Sequence, residues 1–142
     1  MAPVVAVRFF TTVFGRNLIA PRSVIHQVKP ILAGHAMLDV FIEQKSQQLV
    51  FYVSRFLRGQ IPHRELHLFI WDTLEEWAQL QVSQQTPANF REQVFWHVLY
   101  QLEYWSEQEL LRDKILRKKL QNCLGFLRGK VCLPLDCVGV RP

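Results

Sequence analysis

Apolar side chains recur at three- and four-residue steps from Met37 to about Lys130, a spacing that predicts helices rather than strands. A first helix is predicted over Met37–Arg58. Leu38, Phe41, Ile42, Leu49, Tyr52, Val53 and Phe56 form its stripe, and Gly59 is a natural stop after the basic Arg55 and Arg58. A second starts at Pro62, a residue tolerated in a first turn, and runs to about Val82. Leu66, Phe69, Ile70, Leu74, Trp77, Ala78 and Gln81 mark its inner side, with Asp72, Glu75, Glu76 and Gln79 mostly elsewhere.

A third helix is predicted from Thr86–Pro87, read as N-cap and first helical residue, to Trp105. Phe90, Val94, Val98, Gln101, Leu102 and Trp105 trace one stripe, which Phe95 and Leu99 widen; this marks it as the central element. A fourth opens with Ser106-Glu107-Gln108-Glu109, a capping-box pattern, and ends at Gly129. Its apolar face is Leu111, Ile115, Leu116, Leu120, Cys123, Leu124 and Leu127. Four amphipathic helices on short links predict an all-α fold, a compact four-helix up-and-down bundle.

The pattern fails at both ends. Residues 1–36 form a basic, poorly patterned N-terminal leader with no Asp or Glu, carrying Arg8, Arg16, Arg22 and Lys29. Three readings compete: a targeting presequence, a non-native extension ahead of Met37, or an arm that packs on the fold. Residues 37–130 are the helical domain, and residues 131–142 read as an extended tail punctuated by Pro134, Gly139 and Pro142. No stretch approaches the apolar length of a membrane span. Surface binding of the leader through Phe9, Phe10, Phe14 and its arginines is a minor alternative.

Charge changes this picture by its distribution. The net charge is +5, but residues 65–109 carry −7 and residues 110–130 carry +6. Acidic helices two and three can therefore lie beside a basic helix four. Lys114, Arg117, Lys118 and Arg128 define a basic face that is able to meet phosphates, although the acidic middle would repel the same backbone.

Candidate chemistry is sparse. His63 and His67 stand four apart, a metal-gripping spacing on a helix, but Arg64 occupies the position where a metalloprotease needs Glu. Cys132 and Cys137 are five apart; a redox pair wants Cys-x-x-Cys and a zinc site two further ligands, neither of which the sequence supplies, and Cys123 reads as a small apolar helix residue. His97 reads as a core or boundary residue. The carboxylates Asp72, Glu75, Glu76, Glu92, Glu103, Glu107 and Glu109 lack the Glu-x-x-His pattern of di-iron bundles and read as a solvated face. No catalytic, cofactor or metal residue is assigned.

Four Trp fall within residues 71–105, and Trp71, Tyr100, Tyr104 and Trp105 exceed what a core this size readily encloses. The expectation is a small non-catalytic interaction module, adaptor or regulatory, that binds another protein or pairs with itself through those aromatics. The alternatives are a nucleic-acid-binding regulator using the basic face of the last helix, and a metal-binding or enzymatic helical protein. Three cysteines, an odd number, suit a reducing compartment. The expected location is cytoplasmic, or the mitochondrial matrix if residues 1–36 are a presequence.

Overall fold

The computed structural model describes residues 30–82, 86–129 and 133–142, with side chains from residue 36 onward. The fold is all-α: five helices and no strand among the described residues. They are α1 (Pro30–Leu57), α2 (His63–Leu80), α3 (Phe90–Tyr104), α4 (Glu107–Arg112) and α5 (Lys114–Leu127). The four longer ones build the expected bundle. Most of the leader, residues 1–29, lies outside the described residues, but α1 begins at Pro30, ahead of the predicted start at Met37.

The long α1 packs on α2, α3 and α5 and forms one wall of the core. All seven predicted stripe residues are buried. Tyr52 stacks on Phe69 with centroids 4.7 Å apart, and Phe41 meets Trp77 at 5.7 Å, so aromatic contacts set α1 against α2.

Polar groups also enter that interface, against expectation. Asp72, assigned to the solvated face, is only 5% exposed, and Lys45 is 2% exposed with its Nζ 2.8 Å from Glu76 Oε1. Burial pushes the Asp72 carboxyl up to about 6, and the neighbouring Glu76 adds to this, while Lys45 pulls it back. Burial likewise lowers Lys45, opposed by Glu76. Because the folded pKa of Asp72 exceeds its ordinary 3.8, its ionisation opposes folding above pH 6, and that cost disappears as pH falls toward 4. Asp72→Asn is expected to raise the unfolding free energy by about 1–2 kcal/mol at pH 8. Urea melts across pH should show the difference closing between pH 7 and 4.

The N-cap of α3 is Asn89, three residues beyond the predicted Thr86; its side chain accepts from the Glu92 N–H at 2.8 Å. Phe90 therefore opens the helix and points outward at 64% exposure, although the stripe predicted it inside. The centre of α3 is as expected, with Val94, Phe95, Val98, Leu99 and Leu102 fully buried, and Trp96, which the stripe did not include, is fully buried with them. The Trp96 ring touches Trp77 and Phe95, and its Nε1 donates to Glu92. Trp77 in the last turn of α2 meets Trp96 in the middle of α3, and His63 at the start of α2 is within electrostatic reach of Glu107, just past the end of α3. The two helices thus run antiparallel.

The single fourth helix of the prediction is broken at Asp113. The Ser106–Glu109 capping box forms as expected and starts α4. Six residues later, Asp113 accepts from the Ile115 and Leu116 N–H groups and starts a new helix, α5. The break turns Ile115 out to 71% exposure, and Leu110, absent from the predicted stripe, becomes fully buried.

The tail does not hang free. From Cys137 to Arg141 it crosses α3 in extended form, with Cys137 and Gly139 buried and Val138 and Val140 exposed. The Gly139 N–H donates to the Gln93 carbonyl at 2.9 Å. The Arg141 guanidinium makes two bonds to Glu92, donates to the Thr86 carbonyl and lies over the Trp77 ring. Glu92 is 2% exposed, a second departure from the solvated-carboxylate reading. Its buried charge has a buried partner.

Candidate functional site

Of the four aromatics expected to bind a partner, two are well exposed: Trp71 at 65% and Tyr104 at 78%. Tyr100 and Trp105 are half-buried. Trp105 packs edge-on against Tyr104 at 4.9 Å and donates its Nε1–H to Gln101. Tyr100 lies beside Trp96, its phenol pushed up by burial and by Glu103. Trp71 and Tyr104 thus lie on neighbouring, antiparallel helices.

The basic face divides. Lys114 and Lys118 stay exposed on α5. Arg117 donates Nη1–H to the Leu111 carbonyl at 2.9 Å and Nη2–H to the Leu57 carbonyl at 3.2 Å. Arg128 reaches Ser54 Oγ at 2.6 Å. With Arg58, Arg117 and Arg128 line a shallow cleft of about 240 Å³ at the C-terminal end of α1. These guanidiniums therefore face the negative end of a helix dipole.

His63 and His67 have ring centroids 4.3 Å apart, with His63 also against Phe56. Burial lowers His63, and the neighbouring imidazole adds to that. Cys132 lies outside the described residues, so its spacing to Cys137 has no structural counterpart here.

A different partner meets Cys137. Its Sγ lies 3.0 Å from that of Cys123 on α5, and both thiols are free and buried. The ring of His97 on α3 completes a triangle: one nitrogen and the two sulfurs all lie within 4.8 Å of one another. Burial pushes the Cys123 thiol up, its contact with Cys137 adding to the effect. Burial, followed by the nearby Lys119, lowers His97. Three elements distant in sequence supply these groups, so no local motif announced them. A weaker signal existed in the alternation of small and apolar residues from Cys137 to Val140, which marks an extended segment with one inward face.

No helix among the described residues is long and apolar enough to cross a membrane. Compared with protein-family models, curated proteins and solved structures, the chain matches none.

Proposed function

We propose that this chain is a small, non-catalytic interaction module that docks another protein, or a second copy of itself, on the α2–α3 side of the bundle. The observation that carries the reading is the exposure of two large aromatics, Trp71 on α2 at 65% and Tyr104 on α3 at 78%, on helices whose inner faces are locked in the core. Large aromatics held on rigid elements supply contact area at little ordering cost, and they dominate measured interface energies. Trp105, packed against Tyr104, and Tyr100, one turn before it, widen the α3 part of that surface. Glu75 is exposed one turn beyond Trp71, and Glu103 adjoins Tyr104, so the surface suits a partner with basic residues around an apolar anchor. The nucleic-acid alternative has less support, because Arg117 already spends two donors on backbone carbonyls and Arg128 one on Ser54. The buried free thiols fit a reducing cytoplasm or mitochondrial matrix.

The test compares the full chain with Trp71→Ala and Tyr104→Ala in quantitative affinity capture and sedimentation equilibrium. Either change should weaken the recovered complex or the self-association at least about tenfold while leaving the far-ultraviolet circular dichroism intact. Equal capture and equal sedimentation by all three proteins would overturn the reading.

A further inference from the structure

The interaction surface leaves the His97–Cys123–Cys137 triangle unused. We propose that it is a metal site for a thiolate- and imidazole-preferring divalent ion, zinc above all, which pins the C-terminal tail to α3 and α5. The proposal does not depend on the docking surface.

The donor set comes first. Two sulfurs and one imidazole nitrogen form the ligand class that selects zinc over magnesium or calcium. All three atoms lie within 4.8 Å of one another, which lets one ion reach them together. The ligands arrive on three separate elements: His97 from the middle of α3, Cys123 from α5 and Cys137 from the tail. Each is held independently of the others. His97 follows the buried Trp96, Cys123 is 1% exposed in the α5 core face, and Cys137 is fixed by the Gly139 and Arg141 contacts that follow it.

Two fates are open to a sulfur pair 3.0 Å apart. A disulfide would draw them together to about 2.05 Å. Tetrahedral zinc, with Zn–S near 2.3 Å, would space them at about 3.8 Å. Either needs a shift of about 1 Å, so separation alone does not choose between them. The imidazole chooses: a disulfide has no use for a third ligand, whereas a metal needs one. His97 is also the half-exposed member of the triangle. The ion's path and its fourth ligand, a water, therefore lie on that side, because both cysteines are buried. Binding releases the two thiol protons to solvent and leaves the imidazole neutral, so no oxidant or reductant is consumed.

The experiment uses the full, untagged chain, stripped with chelator and kept reduced with a phosphine. Zinc chloride titrated calorimetrically should bind at one equivalent per chain, and cobalt(II) should give a thiolate charge-transfer band and the intense visible bands of a tetrahedral site. Cys137→Ser and His97→Gln should each weaken zinc binding at least about a hundredfold, since loss of outer-shell partners alone costs 10–100-fold. His97 is half-exposed, so His97→Gln keeps the test open if the cysteine variant folds poorly. His63→Ala/His67→Ala should bind as the parent does, which separates this site from the other histidine pair. No uptake by the reduced protein overturns the proposal. So does uptake that survives both ligand variants, or that is lost with His63 and His67.

Discussion

Replacing Gly139 with alanine is expected to unseat the tail and to lower the unfolding free energy by about 3–5 kcal/mol. A Cβ at this position would fall 2.6 Å from the Trp96 carbonyl carbon and 2.7 Å from the Trp96 Cβ, and closer still to the His97 backbone nitrogen. Those atoms belong to the middle of α3, where Trp96 is wedged between Trp77 and Phe95 and has no room to retreat. The tail must lift instead. Arg141 leaves with it, and Glu92 is left as a buried carboxylate without its cation. Urea denaturation should show the loss. A thiol reagent should also reach Cys123 and Cys137 in the variant far faster than in the parent. A variant with parental stability would mean that the tail contributes little to the fold.

Arg141→Met tests the same anchor from its charged end and is expected to cost about 3–5 kcal/mol. Most of that cost is the stranded charge of Glu92 rather than the lost attraction, so a second change should recover part of it. In Glu92→Gln/Arg141→Met the buried group is neutral and still accepts from Trp96 Nε1, which stays satisfied. The double variant should therefore be more stable than Arg141→Met alone. Additive losses in the double-mutant cycle would show that the two side chains act separately. Hydrogen bonding to Glu92 holds the guanidinium charged more firmly than usual, so Arg141 itself carries no pH dependence into the measurement.

The helical elements were legible because apolar spacing is a local signal repeated many times over. Every stripe residue expected in the first helix is buried, and so is the centre of α3. Boundaries were less legible. Asp113 sits within a continuous apolar pattern, yet an Asp before Lys-Ile-Leu is also a helix-starting signal, and in the structure the cap prevails. Asn89 outcompeted Thr86 for a similar reason, through local hydrogen bonding that hydrophobic spacing does not register. Burial of Asp72 and Glu92 was invisible, because a carboxylate reads as solvated until a distant cation is placed beside it. Lys45 lies across the α1–α2 interface, and Arg141 is 49 residues from Glu92. The triangle of His97, Cys123 and Cys137 was hidden likewise. In sequence the nearest cysteine to Cys137 is Cys132, whereas the fold brings it to Cys123 on the preceding helix.

One guanidinium, that of Arg117, bonds the last carbonyl of α1 and a last-turn carbonyl of α4 at once. Two helix ends, each with unsatisfied oxygens and partial negative charge, thus share a single bridging cation through two separate nitrogens. A lysine there would keep the charge but has one nitrogen on a flexible stem, and it could answer only one of the two ends at a time. The junction therefore reads shape as well as sign. At position 117 a change that conserves charge would still sever one helix from the other.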